Sequence, residues 1–256
     1  MPLRIAFDLD GVLADMEAEL VRQAELIFGA AMTRRLQEGP PSGQPSASTG
    51  RAQETDPGAR SAADRIADTT PPLLELRMTP RQQRRLWRHV ESIESFWETL
   101  EEIEPGAVAR LAEAAASRRW EIIFLTKRPE SAGATAQVQT QRWLEAKGFR
   151  LPSVYVVQGS RGRIAAALDL DIVIDDRPEN CLDVVVDSKA RTILVWREDE
   201  SLLPVAARRL GIGVVKTVAE CLDILEQIDT SEEEQPGLMA RVKRLLGLTE
   251  AEGAGR

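Results

Sequence analysis

The chain has 256 residues, a length that fits one or two domains. Its 33 Lys and Arg against 41 Asp and Glu give a formal net charge of −8, which argues against binding to the backbone of a nucleic-acid polymer, because that role requires a basic face. The hydrophobic fraction of 43% is sufficient for a core.

Cysteine and histidine usage excludes several kinds of site. Cys181 and Cys221 are too few for a disulfide framework and lack zinc-ligand spacing, and a single His89 excludes a His-rich metal site and most Ser/Cys-His catalysis. The apolar run at the N-terminus is too short for a signal peptide, and no run of about 18 apolar residues could span a membrane. We therefore expect a soluble cytoplasmic protein with no membrane span; the sequence leaves its oligomeric state open.

The first half of the chain contains one strand and two helical stretches. The apolar run 5–7 predicts a buried strand, and the apolar spacing in 14–28 predicts a helix. Residues 39–50 are rich in Gly, Pro and Ser, and the stretch that follows is polar and Ala-rich. A disordered insertion is therefore expected at 39–72. Helical pattern resumes at Thr79-Pro80, with Thr as the N-cap and Pro in the first turn.

From residue 107 onward, short apolar strands alternate with helices. This alternation predicts βαβ units and a parallel sheet covered on both faces. After them come an acidic stretch and a short amphipathic segment at Leu238 to Leu248. The predicted strands are 121–125, 154–157, 172–174, 192–196 and 214–215, and the predicted helices are 107–117, 131–147, 163–168 and 218–227.

Polar side chains follow four of the predicted strands, and in an open parallel sheet the site lies beyond the carboxyl ends of the strands. Carboxylates packed together there repel one another unless a cation joins them, and an all-oxygen donor set selects a hard ion, best matched by Mg²⁺. In chain order these side chains are Asp8 and Asp10, then Thr126 and Lys127, then Arg161 and Arg163, and finally Asp175 and Asp176.

This set of side chains is suited to phosphoryl transfer. One Asp can attack phosphorus and form an aspartyl-phosphate, and a second Asp two residues away can protonate the leaving oxygen and later deprotonate water. A Thr hydroxyl and a Lys or Arg can hold the phosphoryl oxygens as charge shifts during transfer.

Three of these segments resemble the motifs of the haloacid dehalogenase-like superfamily, in its phosphatase branch. Asp8-Leu9-Asp10-Gly11-Val12 resembles the DxDG(V/T) signature, Leu125-Thr126 the second motif, and Ile174-Asp175-Asp176 the fourth. The third motif is usually a Lys. Here Arg163 is the first candidate for that place and Arg161 the other, and Lys127 could share the task.

The resemblance implies an α/β fold with a Rossmann-like parallel sheet core and a helical cap inserted after the first strand. The expected catalytic core is 1–14 and 105–230, and the expected cap is 15–104, containing the insertion at 39–72. Residues 231–256 are expected to form an acidic linker and a short amphipathic C-terminal helix.

The most similar subgroup that the motifs indicate is the type C 5'(3')-deoxyribonucleotidases and their bacterial relatives. It implies a Mg²⁺-dependent phosphatase acting on a small phosphorylated substrate, with a (deoxy)nucleoside monophosphate as the best guess. By the resemblance, Asp8 is the nucleophile and a metal ligand, and Asp10 is the acid/base, with its backbone carbonyl also on the metal. Thr126, Lys127 and Arg163 bind the phosphoryl group. Asp176 is the direct metal ligand of its pair, and Asp175 is the second metal candidate next to it.

Two other functions stay open at this point. One is a non-catalytic binding or regulatory domain that kept the fold, and the other is a phosphatase or phosphotransferase for another small phosphorylated metabolite. Dehalogenase action is disfavoured, because carbon–halogen cleavage needs no acid at Asp10. Phosphonate cleavage is disfavoured because residues 11–104 contain no Lys for a Schiff base.

Overall fold

The computed structural model describes residues 2–31, 33 and 78–234. The predicted insertion at 39–72 and the predicted C-terminal helix at 238–248 lie outside the described residues. Among the described residues, no helix is both long enough and apolar enough to cross a membrane.

The strands of the described chain form one parallel sheet, as the alternating pattern predicted. Its order is β3-β2-β1-β4-β5-β6, and every neighbouring pair is parallel. Interior strands read as continuous apolar runs because both faces of such a sheet are covered. The strands are β1 (Arg4–Asp8), β2 (Glu121–Thr126), β3 (Ser153–Val156), β4 (Ile172–Asp175), β5 (Arg191–Val195) and β6 (Gly213–Val215).

Helices follow the strands along the chain, and most were predicted. The helices at 178–187 and 205–209 were not, although Pro178 in the first turn of the former is a start signal. The helices are α1 (Met16–Phe28), α2 (Pro80–Ser92), α3 (Ala107–Arg118), α4 (Ala136–Ala146), α5 (Arg161–Ala167), α6 (Pro178–Asp187), α7 (Val205–Arg209) and α8 (Val218–Glu234), with short 3₁₀ turns at Phe96–Glu98 and Glu200–Leu202.

Several helix boundaries differ from the sequence prediction, and three of the differences have a local cause. The helix predicted to begin at Ser131 begins at Ala136, because the chain turns at Gly133 with φ +96°. The helix predicted to begin at Arg163 begins at Arg161, because Ser160 caps it by accepting a hydrogen bond from the Arg163 N–H. The last helix continues to Glu234, since the first strong breaker in the sequence after it is Pro236.

The described residues divide into two compact units, with breaks after Asp15, Leu100, Lys127 and Gln139. The first unit contains the sheet, and the second contains α1 and α2. The domain limits expected from the sequence, with a core of 1–14 and 105–230, remain a prediction.

Helices pack on the sheet of the first unit through aliphatic side chains. A cluster built from β1, β2, β4, α5 and α6 includes Ala6, Leu125, Val173 and Val184, each almost fully buried. A second cluster around Cys181 and Leu194 is made by α6, β5 and α7. Cys181 and Cys221 are buried free thiols. The helices that carry functional residues are thereby fixed to the strands that carry the rest.

The second unit has its own buried core. Leu20 and Ala24 of α1 are buried, as are Leu86 and Val90 of α2. Thr79 and Gln82 form a reciprocal capping box at the start of α2, as the Thr-Pro signal predicted in part.

The aromatic pair of the second unit is also in its core. Phe96 and Trp97 are fully buried and pack edge to face, with ring centroids 4.9 Å apart. The Trp97 indole N–H donates to the Pro129 carbonyl at 2.9 Å, and the Arg128 guanidinium lies 5.0 Å from the Trp97 ring centroid. The indole N–H and the ring face of Trp97 both contact protein groups.

Candidate active site

Adjacent strands bring the candidate carboxylates to one edge of the sheet. Phe7 pairs in register with Ile174, so Asp8 and Asp175 end neighbouring strands. Asp8 is 7% exposed and Asp175 is 1% exposed. Burying a charged carboxylate without a partner costs folding free energy. A positive partner is therefore required close to both.

Arg161 is that partner. Its side chain is 2% exposed and stands at the first residue of α5, after β3. One terminal nitrogen, Nη2, pairs with Asp8 Oδ1, and Nε lies 3.8 Å from Asp175 Oδ2. The Arg161 charge favours the ionised form of both carboxylates, but burial is the largest influence and raises the pKa of each above its ordinary value.

The guanidinium of Arg161 also has a donor that the described residues leave unpaired. Nε and Nη1 are buried and make no hydrogen bond within the described residues, but Nε faces Asp175 at ion-pair distance, so Nη1 is the one without a charged partner. A planar guanidinium presents its donors in a fork that matches the oxygens of a carboxylate or phosphate. Nη1 is therefore the donor that could bind an anion.

Arg163, the first candidate for the third motif, is not part of this cluster, and that choice is corrected here. Its side chain is 85% exposed, and its Nε lies 3.8 Å from Asp187 Oδ2. Because α5 begins at Arg161, that residue and not Arg163 reaches the carboxylates. The Ser160 cap was the sequence signal that could have located the helix start.

Asp10 is held by Thr126. The Thr126 hydroxyl donates to Asp10 Oδ2 at 3.0 Å, and the Thr126 side chain is fully buried. The structure thus brings Thr126 to the second Asp of the signature, so that this hydroxyl orients the carboxylate predicted to be the acid/base. Lys127, the next residue, is exposed.

Asp175 is oriented by groups at the start of α6. Its Oδ1 accepts the Arg177 backbone N–H at 2.9 Å, and the Asn180 side-chain amide donates to both of its oxygens at 3.0 Å. Both Asp175 oxygens are therefore occupied by protein donors. Asn180 was not among the site residues predicted from the sequence.

Asp176 lies against the turn that follows β1. A Cβ placed on Gly11 would lie 2.0 Å from Asp176 Oδ2, so only glycine fits there, and Gly11 also has a φ of +89°. Asp176 Oδ1 is buried and has no hydrogen-bond partner among the described residues. Burial and the neighbouring Asp175 charge raise the pKa of Asp176 to about 7.

Comparison with known proteins gives a likeness of structure but not of sequence. No protein-family model and no curated protein matches the chain. A dehalogenase solved with an intermediate complex aligns with a TM-score of 0.50 at 10% identity, covering 87% of this chain and 96% of its own. The chain has the fold of the haloacid dehalogenase-like hydrolases.

Other solved structures with the haloacid dehalogenase-like fold align less well. One is a haloacid dehalogenase-like family hydrolase from Xanthomonas campestris, with a TM-score of 0.47 at 16% identity and coverage of 95% of this chain and 98% of its own. Another is a family hydrolase from Deinococcus radiodurans R1 with bound phosphate and sodium, with a TM-score of 0.46 at 16% identity and coverage of 86% and 93%. The fold expected from the three motifs is confirmed; the likeness to deoxyribonucleotidases is not tested.

Proposed function

We propose that this protein is a phosphomonoester hydrolase that works through an aspartyl-phosphate on Asp8. The observation that carries the proposal is the buried Arg161 guanidinium, which pairs with Asp8 and Asp175 while its Nη1 has no described partner. A phosphoryl group that accepts from this guanidinium would sit beside the Asp8 carboxylate. Charge-assisted bonds of this kind stabilise the phosphoryl oxygens during transfer.

The proposed chemistry has two steps that share one acid/base. In the first, an Asp8 carboxylate oxygen attacks phosphorus, the bond from phosphorus to the ester oxygen breaks, and Asp10 protonates that leaving oxygen. In the second, Asp10 takes a proton from water as the water attacks phosphorus. The bond from phosphorus to Asp8 then breaks and inorganic phosphate leaves. The Thr126 hydroxyl holds Asp10 in place for both transfers.

Asp8 and Asp176, with the backbone carbonyl of Asp10, are the groups proposed to hold Mg²⁺. The buried Asp176 Oδ1, which has no described partner, fits a cation ligand. No group of three His, Cys, Asp or Glu side chains is arranged as a metal cage within the described residues. Mg²⁺ commonly binds through one or two carboxylates, waters and the substrate's phosphate, and here Asp8 and Asp176 would supply the carboxylates. When bound, the ion supplies positive charge that offsets the charge of the phosphoryl group.

Asp175 is proposed to support this site rather than to bind the cation directly. Its oxygens already accept from Arg177 and Asn180, and it faces Arg161. It would orient the Arg161 guanidinium and support the neighbouring Asp176.

The finer proposal is that the substrate is a (deoxy)nucleoside monophosphate and the activity that of a 5'-nucleotidase. Its support is the sequence resemblance at Asp8-Leu9-Asp10-Gly11-Val12 and Ile174-Asp175-Asp176. Dehalogenation, the chemistry named for one structural neighbour, needs no acid at Asp10, so it would not account for the hydrogen bond by which Thr126 orients Asp10.

Phosphate release from a panel of phosphomonoesters tests the proposal. The panel contains 5'- and 3'-(deoxy)nucleotides, sugar phosphates and an aryl phosphate, each assayed with Mg²⁺ and with chelator. We expect Mg²⁺-dependent release from the wild type, no turnover by Asp8→Asn, and severe loss in Asp10→Asn. The ranking of substrates tests the nucleotide assignment separately.

Asp223→Asn is the matched control, because Asp223 is an exposed Asp of the same unit that pairs with Arg110. It should retain wild-type turnover. Full activity in Asp8→Asn would overturn the mechanism. Wild type without release on any substrate would favour the non-catalytic binding domain.

A further inference from the structure

Arg197 follows β5 and reaches the turn that carries the candidate catalytic residues. Its Nη1 donates to the Gly11 carbonyl at 2.5 Å, and its Nη2 donates to the Val12 carbonyl at 3.2 Å. A single side chain therefore accounts for hydrogen bonds to two consecutive carbonyls of the turn after β1. The sequence separation of the two segments gave no local signal of this contact.

Glu104 also binds the Arg197 guanidinium. Arg197 Nη2 donates to Glu104 Oε1 at 2.9 Å. The same carboxylate accepts the backbone N–H groups of Val218 at 2.8 Å and Ala219 at 3.1 Å, at the start of α8. A carboxylate at a helix N-terminus is favoured by the unpaired amides and by the helix dipole. Glu104 is thus anchored on the core and in turn anchors Arg197.

The turn is consequently held from two sides. On one side Arg197 binds its carbonyls, and on the other Gly11 lies against the Asp176 carboxylate with no space for a Cβ. Asp10 immediately precedes Gly11, so any movement of the turn changes the distance between Asp10 and Asp176. The turn also closes on itself, with the Gly11 N–H donating to the Ala14 carbonyl at 3.1 Å.

We propose that Arg197 is a positioning residue that clamps the Asp10–Val12 turn against the end of β4. The proposal rests on the phosphatase function proposed above, since it assigns Arg197 to the geometry of the Asp10 acid/base. Arg197 acts through backbone carbonyls and not on the substrate. Its loss should lower turnover while leaving substrate binding almost unchanged, because misplacement of a catalytic group lowers the rate of the chemical step.

The test measures two properties of Arg197→Ala and Arg197→Lys in the full chain. The first is amide hydrogen exchange over residues 9–14, which needs no substrate. In Arg197→Ala exchange should accelerate by about tenfold or more, because the turn loses its charge-assisted bonds. The second is steady-state hydrolysis of the best panel substrate. Here kcat should fall by about tenfold to a hundredfold, with KM within about threefold of wild type.

Arg197→Lys should lie between the wild type and Arg197→Ala in both properties. A Lys ammonium keeps the charge but cannot reproduce the planar fork that joins two carbonyls and a carboxylate. If Arg197→Ala does not fold, Arg197→Lys carries both measurements. Arg110→Ala is the control: it removes an exposed ion pair between α3 and Asp223 of α8, without contact to the turn, and should change neither property.

Wild-type exchange and wild-type kcat in Arg197→Ala would overturn the proposal. A raised KM with unchanged kcat would also overturn it, since that pattern places Arg197 on the substrate. If the wild type releases no phosphate from any substrate, the phosphatase function fails instead, and the exchange measurement alone decides whether Arg197 holds the turn.

Discussion

Arg161 and Arg163 are two residues apart in sequence but occupy opposite environments. Arg161 is buried against Asp8 and Asp175, while Arg163 is mostly exposed and lies near Asp187. Ion pairs at exposed positions contribute little, because solvent screens the charges. A buried charge pair, by contrast, leaves an uncompensated charge when one partner is removed. The two arginines therefore form a natural matched pair for substitution.

Arg161→Gln should abolish most turnover, and Arg163→Gln should not. Loss of a donor that stabilises transition-state charge lowers kcat by about a hundredfold to a thousandfold, so the kcat of Arg161→Gln should fall by at least about a hundredfold. For Arg163→Gln we expect near wild-type turnover and a change in unfolding free energy below about 0.5 kcal/mol. Steady-state kinetics and thermal unfolding of both variants check this. Equal losses in the two variants would contradict the assignment.

At the scale of elements, the contact of α5 with α6 determines where Arg161 stands. Gly162, the second residue of α5, lies so close to α6 that a Cβ there would be 2.2 Å from the Asp183 carbonyl oxygen and 2.6 Å from Asp187 Cβ. The Gly162 N–H also donates to Asp183 Oδ2 at 3.1 Å. The atoms in the way are backbone or close to it, so the helices would have to separate.

Gly162→Ala should therefore reduce both stability and turnover. Overpacking of this kind costs about 1–3 kcal/mol, and the displacement of α5 moves Arg161 away from Asp8. Gly159→Ala is the matched control, since a Cβ at Gly159 meets no atom within 4 Å. Denaturant unfolding and kcat should decline together in Gly162→Ala and stay near wild type in Gly159→Ala. Wild-type stability and turnover in Gly162→Ala would contradict this account of the contact between α5 and α6.

The strands and the motif positions could be predicted from the sequence because their signals are local. Apolar runs ending in polar residues located β1, β2 and β4, and with them Asp8, Asp10, Thr126, Asp175 and Asp176. The choice of arginine was wrong because it depended on a helix start that Ser160 sets two residues earlier. The contacts of Asn180 with Asp175 and of Arg197 with Gly11 join segments through the tertiary fold, which periodicity does not describe.

For the whole molecule, charge is the main constraint on an anionic substrate. The net charge of −8 gives a repulsive background for a phosphate monoester, and four of the chain's carboxylates lie in the candidate site. Arg161 pairs with two of these carboxylates, and the Arg177 charge also acts on Asp175 and Asp176. Bound Mg²⁺ would add the remaining positive charge, and its binding should be visible in stability as well as in rate.

Mg²⁺ should raise the unfolding temperature of the wild type, and Asp176→Asn should remove most of that rise. An ion at about a hundred times its Kd stabilises the folded state by about 2.7 kcal/mol, provided that it does not bind the unfolded chain. Thermal unfolding with Mg²⁺ and with chelator measures the difference. Asp223→Asn, an exposed control, should keep the full rise. A rise of wild-type size in Asp176→Asn would contradict the proposed ligand set.

The most direct test of the central claim is the chemical identity of residue 8 during turnover. The enzyme is mixed with its best substrate and Mg²⁺, quenched, and treated with borohydride, which reduces an acyl phosphate to an alcohol. Peptide mass spectrometry should then find homoserine in place of Asp8, and no modification at Asp10, Asp175 or Asp176. Active enzyme with unmodified Asp8, or with the modification on another carboxylate, would contradict the account.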